Sequence, residues 1–175
     1  MRAAGTDRTV LAAPEAPADP CALVSEQTLK RVVPDAKVTR SESDNDSRHS
    51  KRASCEIETS GDSTSATSVS LKFSITRHGV RQRGRAAEAR EAFNSSRQQY
   101  TGENLTDVPD LGDSAYAKLE HSGSDIEVLV AVLTGGDTFA VRYYVWPSGD
   151  GQPMADELAL LATVAVARDL VNGLR

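Results

Sequence analysis

Val69, Leu71, Phe73 and Ile75 alternate with Ser70, Lys72 and Ser74, the period-two pattern of a strand with one buried face. Ala53, Cys55 and Ile57 alternate with Ser54, Glu56 and Glu58 in the same way. Residues 125–133, DIEVLVAVL, are apolar on both faces except at Glu127. Such a strand belongs mid-sheet, covered on both sides. Gly135-Gly136 follows, suited to the positive φ of a tight hairpin, and Phe139, Val141, Tyr143 and Val145 return as the partner strand. On that alternation Tyr144 and Trp146 face away from Tyr143. Shorter strands are predicted around Ala36 and Val38 and at about 114–121.

Three segments carry helical spacing. Ser25 is placed as an N-cap, with Leu29, Val32 and Val33 behind it and Pro34 as the stop, which predicts a helix at about 25–33. At about 85–100, Ala86, Ala89, Phe93 and Tyr100 lie near one face with Ala92 beside them. At about 154–171, Leu160, Val164, Ala167 and Val171 form one face and Leu158, Leu161 and Ala165 another, with Gly173 as the C-terminal stop. That last helix is apolar around much of its circumference and is expected to be buried. The polar stretches 41–52 and 77–85 read as loops.

The predicted order is α-β-β-β-α-β-β-β-α. It describes an α+β domain: an antiparallel sheet of five to six strands with three helices packed on it. Both halves read helix then strands, a hint of duplication without matching residues. Residues 19–175 are expected to form the single domain, and the Ala- and Pro-rich residues 1–18 a flexible tether.

A chain of 175 residues is room for one ordinary domain. Its net charge of −5 argues against a dedicated nucleic-acid binder. No apolar run approaches the ~18 residues of a membrane helix. His49, His78 and His121 are scattered and no CxxC pair occurs, so neither a metal nor another cofactor is expected. Glu42, Asp44 and Asp46 alternate but do not make a calcium loop. Counted from Glu42, the glycine and glutamate places hold Ser47 and Ala53; counted from Asp44, they hold His49 and Cys55. Gly112-Asp113-Ser114 shares three letters with one hydrolase class, but no histidine follows His121 to serve as base, so the triplet reads as a turn. No catalytic residue is assigned.

Two groups are candidates for binding. Arg77, His78, Arg81, Arg83, Arg85 and Arg90 form the only basic cluster, which could select an anionic partner; the plainer reading is a solvated loop leading into a helix. Tyr144 and Trp146, on one side of the last strand, could line a ligand groove if they are exposed. The candidate ligand-binding residues are therefore Tyr144, Trp146, Arg81, Arg83 and Arg85.

Cys21 and Cys55 leave two readings, a disulfide or two inert buried thiols. Closing the 34-position separation would remove about 3–4 kcal/mol of unfolded-state entropy, which favours the disulfide in a small domain poor in aromatics.

Pro20-Cys21-Ala22-Leu23-Val24-Ser25, Cys55-Glu56-Ile57, the segment Val108-Pro109-Asp110-Leu111-Gly112-Asp113-Ser114-Ala115-Tyr116 and the closing hairpin and helix resemble a family of actinobacterial exported proteins. These are lipoproteins or membrane-tethered domains of unknown function, similar in layout to the extracellular sensor domains of mycobacterial serine/threonine kinases. The resemblance covers most of residues 20–174. It implies that the two cysteines pair, that an antiparallel sheet carries helices, and that no catalytic residue is inherited. Residues 1–20 hold no apolar core of the length export requires, so a signal or membrane tether is expected only in a segment outside this chain. The expected function is a non-enzymatic, extracytoplasmic domain of the cell envelope that binds a small ligand or an envelope protein. The alternatives are a small hydrolase with an unidentified site, a structural scaffold in an envelope assembly, and, for location, the cytoplasm.

Overall fold

The alternating segments pair into two meanders that meet at the middle of one antiparallel sheet. In a computed structural model of the chain, which describes residues 11–80, 83–100, 105–148 and 151–174, the first meander is β1 (Ala36–Asp44), β2 (Ser50–Thr59) and β3 (Thr67–His78). The second is β4 (Leu105–Asp107), β5 (Ser114–Ser122), β6 (Asp125–Thr134) and β7 (Asp137–Pro147). Their order across the sheet is β1-β2-β3-β7-β6-β5-β4. A 3-10 turn at Pro20–Leu23 leads into α1 (Glu26–Val32); α2 (Arg85–Gln99) links the meanders and α3 (Asp156–Gly173) closes the chain.

The α+β class and the three helices match the sequence expectation. The sheet has seven strands among the described residues rather than five to six, and the order gains a strand after α2. The addition, β4, is a three-residue edge strand, too short for alternation to announce. β1 is nine residues long rather than a short strand at Ala36–Val38, and all nine are exposed. An edge strand with neither face buried needs no apolar pattern.

One face of the sheet carries the main core: Cys55, Ile57, Leu71, Phe73, Val128, Val130, Val141 and Tyr143 beneath α1 and α3. Among the described residues, the other face is covered only in part. There α2 lays Ala89 and Phe93 on Tyr116, Leu129, Ala131 and Leu133. The two helices that open the halves thus pack on opposite faces. Only Ala89 and Phe93 of the predicted α2 stripe go inside; Ala86 and Ala92 are exposed. In α3 the buried line is Ala159, Thr163, Val166, Ala167, Leu170 and Val171, while Leu158 and Leu161 stay 58% and 56% exposed. Among the described residues the second apolar face of α3 therefore points to solvent, because the sheet and α1 pack on its other side. Gly173 is the last helical residue rather than a stop beyond it.

Cys21 and Cys55 are bonded, with Cα atoms 5.3 Å apart. The bond ties the 3-10 turn ahead of α1 to β2. β6 and β7 pair from Ile126–Val145 to Thr134–Asp137 through Gly135-Gly136, with Gly135 alone of the two at positive φ, 55°. β6 lies between β7 and β5, internal as expected.

Residues 11–18, read as part of a flexible tether, lie beside the β1–β2 turn and the end of β3, away from the β2–β3 turn. Ala13 N–H donates to Arg48 O at 3.0 Å, Ala16 N–H to Asn45 Oδ1 at 2.8 Å, and Val80 N–H to Leu11 O at 2.9 Å. Ala13 and Ala16 are buried. Residues 1–10 lie outside the described residues.

Candidate functional site

Pairing register decides which side chains share the uncovered part of the second face. Ser70 of β3 stands opposite Tyr144 of β7, which stands opposite Glu127 of β6. One step along, Lys72 is paired with Arg142; one step the other way, Ser68 is paired with Trp146. Successive rows on one face are about 7 Å apart, so three rows on three adjacent strands make one patch. Ser70, Lys72, Glu127, Arg142, Tyr144 and Trp146 line a groove there of ≈ 310 Å³.

The rings of Tyr144 and Trp146 lie with centroids 5.3 Å apart and planes tilted by 44°. Both residues are half-buried, unlike Tyr143, whose side chain faces the core. The polar rim is held in place by pairs. Arg142 Nη1 donates to Glu127 Oε1 at 2.7 Å, and Lys72 Nζ lies 3.5 Å from Glu56 Oε1. The Tyr144 hydroxyl donates to Asp125 Oδ2 at 2.9 Å; that hydrogen bond first, then partial desolvation and the nearby carboxylates, push its phenol above the ordinary range. Arg142 Nη2 also reaches the Tyr100 hydroxyl at 3.4 Å, so the C-terminal end of α2 borders the patch. Ser70 is itself buried, and its Oγ has no hydrogen-bond partner among the described residues.

The basic residues do not join this groove. Arg85 Nη2 lies 3.0 Å from Asp137 Oδ1, and Arg77 Nε lies 3.4 Å from the same oxygen. Arg85 Nε donates to the His78 carbonyl at 2.8 Å. Asp137 starts β7, seven residues and roughly 23 Å of strand from Tyr144. Arg85 and Arg77 thus lock the start of α2 and the end of β3 to the β6–β7 hairpin. Burial holds the His78 imidazole below its usual range, partly offset by Asp137. Arg83 and Arg90 lie on the outer side of α2, away from the sheet, and Arg81 lies outside the described residues.

The Gly112-Asp113-Ser114 triplet is a turn. Gly112 has φ 65°, and a Cβ there would lie 2.5 Å from the Leu133 carbonyl oxygen. Asp113 Oδ2 accepts the Gly135 N–H at 2.6 Å, which braces the β6–β7 hairpin. Asp44 spends its carboxylate on the Asp46 N–H at 3.1 Å. No cluster of potential metal ligands occurs among the described residues. No helix among them is long and apolar enough to cross a membrane.

Tyr144 and Trp146 were visible in the sequence as outward residues of a strand. Ser70, Lys72, Glu127 and Arg142 were not singled out, because each is an unremarkable polar position of an alternating strand. They become neighbours only when β7 pairs with β3 on one side and β6 on the other, Ser70 standing opposite Tyr144. No family model matches the chain, and no curated protein or solved structure matches it.

Proposed function

We propose that the chain is a non-enzymatic, extracytoplasmic domain of the cell envelope that binds a ligand in the groove floored by Tyr144 and Trp146. The observation that carries this reading is the aromatic pair. Two large rings stand half-exposed on the uncovered part of the sheet, while the other rings near the sheet centre are packed away. Exposed aromatics give large contact area at small entropic cost, which is why they anchor binding sites. The groove's volume, ≈ 310 Å³, is at the lower end of the range for small-molecule sites. The Cys21–Cys55 disulfide is consistent with an extracellular location, since such bonds persist in oxidising compartments. Arg83 and Arg85 are left out of the site, Arg85 being occupied by Asp137.

Trp146 is the only tryptophan, so its fluorescence reports on the groove directly. Iodide is expected to quench it in the free protein. A solubilised cell-envelope fraction is expected to protect it saturably, and Tyr144→Ala to abolish the protection. Emission that iodide cannot reach, or that no envelope fraction alters, overturns the reading.

A further inference from the structure

We propose that the groove takes a neutral polyhydroxyl ligand, a sugar ring of an oligosaccharide or glycan chain. The proposal rests on the reading of this groove as a binding site. Three observations select the class.

First, the floor is aromatic and the rim is made of donors and acceptors. Tyr144 and Trp146 offer ring faces to the C–H face of a pyranose. Around them stand a guanidinium, an ammonium and carboxylates, at Arg142, Lys72, Glu127 and Asp125. A sugar hydroxyl both donates and accepts, so a ring of them can use both kinds of rim group at once.

Second, the rim charges are already paired. Arg142 holds Glu127 at 2.7 Å and Lys72 lies 3.5 Å from Glu56. An anion would meet the Glu127 and Asp125 carboxylates; a cation would meet Arg142 and Lys72. A neutral ligand bridges an ion pair without breaking it.

Third, Ser70 Oγ is buried beside the aromatic pair with no hydrogen-bond partner among the described residues. A buried hydroxyl is normally bonded, and an exception calls for an explanation. Here it sits in the row of Tyr144 and Glu127, on the wall of the groove. A ligand hydroxyl entering the groove gives it a partner.

The test is a titration of the full chain with three trisaccharides, built of glucose, mannose or N-acetylglucosamine, beside tetramethylammonium chloride and inorganic phosphate. The readouts are Trp146 fluorescence and the chemical shift of its indole N–H. At least one trisaccharide is expected to shift both saturably. Trp146→Phe keeps the fold and is expected to weaken binding about threefold or more, read from backbone amide shifts. Ser70→Ala is expected to weaken it about threefold to tenfold while leaving the melting temperature unchanged or raised, because it deletes an unpaired buried hydroxyl. No shift with any trisaccharide overturns the proposal. If tetramethylammonium or phosphate shifts Trp146 instead, the groove binds but the sugar class is wrong. If neither these probes nor an envelope fraction shifts it, the binding reading falls as well. Equal affinity of Ser70→Ala and the parent removes the hydroxyl, and the third observation, from the case.

Discussion

The Tyr143 hydroxyl donates to the Val32 carbonyl at 2.6 Å inside the core. One bond thereby ties the central strand β7 to the last turn of α1, whose carbonyls have no partner within the helix. Tyr143→Phe keeps the ring and orphans that carbonyl, so it is expected to cost about 1–2 kcal/mol and roughly 3–6 °C of melting temperature. Burial pushes the Tyr143 phenol up to about 12. A raised acid of this kind adds stability that is complete below the unfolded value, about 10, and is lost as pH rises through about 12. Spectrophotometric titration of Tyr143→Phe should lack the latest-titrating phenol; an unchanged titration curve and melting temperature would remove the bond.

The disulfide is expected to leave no reactive thiol in the denatured, unreduced protein. Reduction, or Cys21→Ser with Cys55→Ser, should lower stability by about 3–4 kcal/mol, the entropy of a loop of 34 positions. Two thiols titrating before reduction would sink the pairing and weaken the case for an oxidising compartment.

Val130 is fully buried in β6, between β5 and β7. Val130→Asp places a carboxylate with no partner in the main core and should cost several kcal/mol. A drop of ten degrees or more in melting temperature is expected, at about 2–4 °C per kcal/mol for this size. A variant melting within a degree or two of the parent would be incompatible with this placement.

The hairpin of β6 and β7 was legible because three local signals agree there: a doubly apolar strand, two glycines and an alternating return. β1 was legible only at Ala36 and Val38, because its exposed residues carry no periodicity. The disulfide followed from there being just two cysteines. The site was half legible. Alternation separated Tyr144 and Trp146 from Tyr143, but nothing local relates Ser70 to Tyr144, which pair across a crossover through α2. The same crossover decides the fate of the arginines. Arg77 is paired with Asp137 in the β3–β7 register, and Arg85 reaches the same carboxylate from α2. Adjacency in sequence suggested a basic patch; the sheet supplies an acid that engages two of its members, Arg77 and Arg85.

That carboxylate gives a test of the division between scaffold and site. Asp137 is mostly buried and holds both guanidiniums, so Asp137→Asn should cost about 1–3 kcal/mol. Hydrogen exchange should quicken at the His78 amide, which bonds the Gly136 carbonyl, and in the first turn of α2. Trp146 fluorescence and its iodide quenching should not change. A variant that alters Trp146 while sparing these amides would place Asp137 in the binding site rather than in the lock.

Asp169 of α3 sets the acid limit of the contact between α3 and α1. Its Oδ2 accepts the Ser25 N–H at 2.9 Å and the Ser25 hydroxyl at 2.8 Å. Partial burial alone would raise this carboxyl; the bonds from Ser25 and Thr28, with Arg31 nearby, outweigh it and hold the group below its usual range. A depressed carboxyl contributes stability above its unfolded value, about 3.9, and loses that contribution as pH falls through the lower folded value. The stabilising bonds should therefore be intact at neutral pH and fail below about pH 4. Ser25 also caps α1 by accepting the Thr28 N–H at 3.2 Å, so Ser25→Ala combines a lost cap of about 1 kcal/mol with a lost partner for Asp169. Asp169→Asn leaves the cap in place and removes only the titrating group. Urea midpoints measured from pH 7 to pH 2 should fall less steeply on the acid side for Asp169→Asn than for the parent. Parallel acid limbs for the two proteins would show that the carboxylate is not held by α1.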